Sequence, residues 1–147
     1  MKSNQLIDML NQNIADLHIL YVKLHNYHWN VQGAQFFQIH KATEEYYEYV
    51  AELYDAVAER VLQLGAKPLA TVKEYADQAH LKEESRNRFS AVEVLQALHS
   101  DFSYLLTRQR SILRIAEEQG DVTTADMVTA VIGWLEKVLW MLKASTS

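Results

Sequence analysis

The chain has 147 residues, 49% of them apolar, and a net charge of −5, which suits one domain (1–147) with a sizeable core and weighs against a strongly nucleic-acid-binding surface. One Pro and four Gly disfavour disorder and a turn-rich all-β fold, and the absence of Cys excludes disulfides, thiolate metal sites and Cys nucleophiles. No segment approaches the roughly 20 apolar residues that span a bilayer.

Met1–Gln12 has the pattern of an amphipathic helix and lacks the apolar core of a signal peptide, so a soluble, cytoplasmic protein is expected. Leu6, Leu10, Ile14, Leu17, Tyr21, Leu24 and His28 continue that stripe as helix A, which Gly33 ends or interrupts. Helix B carries Phe36, Ile39, Thr43, Tyr46, Val50, Leu53, Val57, Val61 and Leu64, with Gly65 at the stop and Pro68 beyond it. Residues 66–89 have no strong stripe; Thr71–Ala79 suits a short extra helix, and Lys82–Arg88 reads as a charged, solvated connection. Ser90-Ala91-Val92-Glu93 is a capping box that opens helix C, whose stripe runs through Leu98, Phe102, Leu105 and Ile112 toward Gly120. Helix D begins at Val122 or Thr124 and extends to Lys143. Short A–B and C–D links with a long B–C segment predict an all-α, up-down-down-up four-helix bundle. This is the ferritin-like connectivity, with a long crossover carrying the extra helix.

Four metal-capable residues stand out: His28, His40, Asp55 and Glu59. The last three ride helix B, yet His40 and Asp55 are separated by roughly 22 Å at about 1.5 Å per residue. Metal ligands lie within about 2 to 2.5 Å of the ion. Either these residues are unrelated or a second copy of the chain completes the site. With His40 at zero on the helical wheel, Val50, Leu53, Val57, Val61 and Leu64 fall between about −60° and −140°. Glu44, Asp55 and Glu59 fall near about 40°, 60° and 100°, interleaved with Ala51, Ala58 and Leu62. Alanines beside carboxylates suit close approach by another helix, and a two-fold antiparallel pairing would bring His40 near the partner's carboxylates. A plainer reading also fits the spacing. A lone helical His or Glu is usually a surface or hydrogen-bonded residue, and His28 continues an apolar stripe as a core histidine would.

The string Lys23-Leu24-His25-Asn26-Tyr27-His28-Trp29-Asn30-Val31-Gln32-Gly33, followed by Phe36, His40, Glu44 and Glu45, resembles the Dps proteins, or miniferritins. The likeness continues through Asp55-Ala56-Val57-Ala58-Glu59-Arg60, Leu64-Gly65 and Pro68 and covers essentially the whole chain. It implies a hollow dodecamer built from two-fold dimers, with ferroxidase sites at the two-fold interfaces. His28 and His40 would come from one chain, and Asp55 and Glu59 from its neighbour. Glu44 stands where the family often has Asp and would help to hold a second iron. Trp29 would either donate an electron or pack in the interface. The Glu-x-x-His pairs of general ferritins are absent, and Asp77-x-x-His80 in the crossover reads as structural or surface.

The activity expected from this resemblance is oxidation of Fe(II), with hydrogen peroxide as oxidant, and storage of Fe(III) mineral. Other divalent metals would compete for mixed imidazole and carboxylate ligands. At the C–D corner, Asp121 and Asp126 resemble residues lining acidic pores; for Asp121, capping of helix D is the alternative. The ends offer few cations, Lys2 and Lys143 among them, so direct DNA binding is expected to be weak or absent. The competing function is a nucleoid-compacting DNA-binding protein with secondary iron chemistry.

Overall fold

The computed structural model describes residues 4–146. Lys2, counted above among the terminal cations, lies outside them. Five helices and two short strands follow in chain order: α1 Asn4–Asn30, β1 Val31–Gln32, α2 Phe36–Gln63, α3 Val72–Gln78, β2 Phe89–Ser90, α4 Ala91–Glu118 and α5 Val122–Ser145. The helices follow the apolar stripes, and local chemistry sets their ends. At Gly65 the backbone turns to φ 90°, and the N–H groups of Gly65 and Ala66 donate to the Leu62 and Val61 carbonyls. Gly120, at φ 69°, closes α4 in the same way through Glu117 and Ala116. Both are Schellman stops, which satisfy terminal carbonyls and favour a residue without a Cβ. Thr71 and Glu74 form a capping box on α3, and Ser90 and Glu93 cap α4 reciprocally.

The chain divides into two compact units, Asn11–Val94 and a second made of Met1–Leu10 with Leu95–Ser147. In the second, Leu98, Phe102, Leu105 and Ile112 of α4 and Val128, Leu135, Val138 and Leu142 of α5 are buried. Phe102 meets Trp134 edge-on, with centroids 5.6 Å apart. Arg110 and Glu136 pair at 3.0 Å, but both side chains are more than half exposed, so the pair adds little.

In the Asn11–Val94 unit, Leu17, Leu20, Leu24 and Tyr27 of α1 and Val50, Val57 and Val61 of α2 are buried. The crossover is better organised than a solvated connection. Three polar side chains of α1 hold its backbone. Asn11 accepts from Leu69 N–H at 3.0 Å, Asp16 accepts from the His80 and Leu81 N–H groups at 2.7 and 2.9 Å, and Asn26 donates to the Arg86 carbonyl at 2.8 Å. These bonds supply partners that an irregular segment cannot find within itself. Val31 and Gln32 then pair in parallel with Phe89 and Ser90, and Phe89 packs edge-on against Tyr27 at 5.0 Å. Arg86 ties the segment by pairing with Glu84 and Glu93 while lying over the Phe89 ring. Lys82–Arg88 is thus charged and largely exposed, as its composition suggests, but it is anchored rather than loose. In α3 the buried Tyr75 accepts a hydrogen bond from Tyr54, donates to the Leu69 carbonyl and stacks near His18.

Candidate metal centre

His28 lies in the last turn of α1 and His40 near the start of α2, so the corner at Gly33 folds one histidine back onto the other. Their rings stack with centroids 3.6 Å apart and planes within 16°. Each ring Nδ1 meets the other residue's main-chain carbonyl: His28 Nδ1 lies 2.6 Å from the His40 oxygen, and His40 Nδ1 lies 2.7 Å from the His28 oxygen. A carbonyl can only accept, so Nδ1 donates in both rings, and the lone pair of each neutral imidazole resides on Nε2. Second partners of this kind are what fix the orientation of metal-binding histidines. Thr43 supports the pair, its hydroxyl 3.2 Å from His28 Nδ1 while donating to the Ile39 carbonyl at 2.7 Å. Phe36 stacks on His40 at 5.0 Å.

His28 is 6% exposed, and burial pushes its pKa down, against the opposing effect of its bond to the His40 carbonyl. The buried ring therefore stays neutral and able to ligate at neutral pH. Glu44, one turn beyond His40, completes the cluster: one ligand atom from each of His28, His40 and Glu44 lies within 4.8 Å of the others. Imidazole nitrogens with a carboxylate suit iron, zinc, cobalt or manganese.

Asp55 and Glu59 do not join this group. Both are exposed, three to five turns further along the unbroken helix α2. One chain therefore brings His28, His40 and Glu44 together and leaves the two distal carboxylates apart. Trp29 is 66% exposed beside the pair, 5.3 Å from the His25 ring. Sequence reading gave no role to His25 or Tyr47. Tyr47 lies edge-on to His28 at 5.3 Å and stacks on His25 at 3.9 Å, so the two wall one side of the histidine pair. His25 is three residues before His28 and Tyr47 seven after His40, spacings that keep each on its ligand's helix face. At the other corner Asp121 is 4% exposed and caps α5, accepting from Thr124 N–H at 3.1 Å and from its hydroxyl at 2.6 Å. Asp126 is exposed. Asp77 pairs with Lys73 at the surface, and neither Asp77 nor His80 belongs to a metal-capable group among the described residues.

A family model described as a ferritin-like domain matches residues 7–146. The chain is 42% identical over 142 residues to General stress protein 20U of Bacillus subtilis, covering 97% of each chain. It is 37% identical over 137 residues to the DNA protection during starvation protein (Dps) of Helicobacter pylori, covering 93% of this chain and 95% of the relative. The chain belongs to the Dps family of ferritin-like proteins. A Dps crystal structure from Vibrio cholerae O1 is similar with a TM-score of 0.94 and 35% identity, over 98% of this chain and 90% of that one. That protein is described as a member of a broad superfamily of ferritin-like diiron-carboxylate proteins. The five helices thus form the ferritin-like fold that the helix lengths and connections imply.

Proposed function

We propose that this Dps protein is a ferroxidase that oxidises Fe(II) at sites shared between two chains and stores the Fe(III) as mineral. The observation that carries this reading is the half-site: two histidines locked with Nε2 available, one carboxylate beside them, and two further carboxylates out of reach on the same helix. A two-fold partner supplies Asp55 and Glu59 to His28, His40 and Glu44. Two Fe(II) ions held there give two electrons to one hydrogen peroxide. Its O–O bond breaks to two hydroxides, both irons become Fe(III), and no hydroxyl radical is released. Carboxylates favour the Fe(III) product over Fe(II) because the added charge strengthens their attraction.

The reading extends to a single domain over 1–147 and to a dodecameric shell built from these dimers in the bacterial cytosol. Among the described residues no helix is long and apolar enough to cross a membrane. Asp126 helps to concentrate cations at an entry pore, whereas Asp121 serves the helix end. DNA is protected by removal of iron and peroxide, with little direct contact. The test is anaerobic Fe(II) loading followed by peroxide, comparing the parent with the His28→Ala/His40→Ala double variant. Loss of rapid oxidation in the variant is expected; parent-like kinetics would remove the assignment.

A further inference from the structure

The aromatic wall beside the histidine pair continues away from it through the Asn11–Val94 unit. Tyr47 stands edge-on to His28 at 5.3 Å, and its ring lies 6.0 Å from Tyr21, with His25 against both at 3.9 and 4.5 Å. Tyr21 in turn lines a cavity of about 320 Å³ with His18, Ala51 and Tyr54, a size that admits water. Beyond it Tyr54 donates a hydrogen bond to the buried Tyr75, which donates to the Leu69 carbonyl. His18 packs on both of these rings, at 5.9 and 4.5 Å, and burial keeps it neutral by lowering its pKa. A wall that served packing alone could be built of Phe or Leu. Here each step carries a phenol, a side chain that gives up one electron far more readily than either, and the last phenol already has a hydrogen-bond acceptor.

We infer that Tyr47, Tyr21 and the Tyr54–Tyr75 pair form a route that carries an oxidising equivalent away from iron when a site holds a single Fe(II). Peroxide needs two electrons, and one ferrous ion gives only one. Tyr47 supplies the other: hydrogen peroxide, Fe(II), the Tyr47 phenol and one proton give Fe(III), a Tyr47 phenoxyl radical and two waters. Tyr21 then passes an electron and a proton to Tyr47. Tyr54 passes the same to Tyr21 across the cavity that both line, with His18 as the base beside the proton's path. Each transfer restores the phenol before it, so the one product is a radical on Tyr54, about 10 Å along α2 from Tyr47. There Tyr75 turns its own hydroxyl toward the radical oxygen, which accepts the bond. The inference rests on the ferroxidase reading and concerns the odd electron, which that reading leaves unassigned.

The experiment is freeze-quench electron paramagnetic resonance on the full chain, loaded anaerobically with less than one Fe(II) per site and mixed with excess peroxide. A phenoxyl signal that narrows when the protein is grown with ring-deuterated tyrosine is expected in the parent. Tyr54→Phe is expected to leave the radical on Tyr21 or Tyr47, with altered hyperfine splitting and a lifetime shorter by about fivefold, the factor that one hydrogen bond sustains. Tyr47→Phe is expected to lose the signal, and a spin trap then collects hydroxyl radical instead. Trp29→Phe is expected to keep the signal; its loss there would put the first step on Trp29 and overturn the route. No phenoxyl radical in the parent would overturn it as well, and rings that serve packing alone predict that result. So would Tyr54→Phe and Tyr47→Phe proteins, folded by circular dichroism, whose signals match the parent's. Should the parent show no radical yet oxidise iron pairs rapidly in a way that His28→Ala/His40→Ala abolishes, the route falls and the ferroxidase reading stands.

Discussion

The two ends of the same long helix carry two kinds of candidate ligand. At its start, His40 stacks against Phe36 and His28 and is bonded through Nδ1 to main chain. Toward its end, Asp55 and Glu59 stand exposed on a regular helical surface. The first half of the candidate site is built by folding. The second is only displayed by it, and on the proposed function would act when a second chain arrives. On the proposed function the centre would divide its costs: the hydrogen-bonded histidines are ordered within each chain, and the exposed carboxylates would remain hydrated until a partner used them.

This contrast can be broken most decisively by mixing. His40→Ala chains and Asp55→Ala/Glu59→Ala chains are each expected to lack fast iron oxidation. Unfolded together and refolded at equal amounts, they recover about a quarter of the parent activity, because half of randomly formed two-fold dimers are mixed and each has one intact site of two. No recovery in assembled mixtures would mean that the ligands do not cross the interface.

Stability in dilute, chelated protein sharpens the contrast next. His28→Ala removes a buried, doubly bonded ring and is expected to cost about 2 to 3 kcal/mol in urea unfolding. Asp55→Asn/Glu59→Gln is expected to stay within about 0.5 kcal/mol of the parent. Equal losses would show that the distal carboxylates are structural as well. Thr43→Val probes the support beneath the histidines: a loss of about 1 kcal/mol and a zinc affinity lower by about tenfold, read by calorimetric titration.

The smallest effect is on pH. Burial holds the pKa of both His18 and His28 below its usual value, so between those lowered values and about 6.5 the unfolded chain binds protons that the native chain does not. Metal-free stability is therefore expected to fall as pH drops from about 7 toward 5. The slope should lessen in His28→Ala and persist in Asp55→Asn/Glu59→Gln. A steeper loss in the carboxamide variant would place its groups in the titrating core.

What could be read from the chain divides along physical lines. Helices α2, α4 and α5 follow apolar periodicity, and Gly65 and Gly120 mark the stops of α2 and α4 because few other residues accept that backbone. The separation of His40 from Asp55 is likewise a matter of helix rise alone. The order of the crossover was not legible. It depends on Asn11, Asp16 and Asn26 reaching backbone groups some 60 residues away, and bonds to main chain leave no side-chain pattern in the partner segment. Asp121 was ambiguous because an acid at a corner suits both a pore and a cap; its burial and its bonds to Thr124 show the cap. The ring stack of His25 and Tyr47 beside His28 depends on rotamers, which composition and spacing do not specify.

The parallel pairing of Val31 with Phe89 closes a loop of 58 residues three positions after His28. Contacts so distant along the chain form late, after the entropy of closing the loop has been overcome. The segment leaving His28 is therefore fastened to β2 only when the crossover arrives, whereas the bonds between His28 and His40 span just 12 residues. The histidine corner is thus local in its own bonds and long-range in its fastening to the crossover.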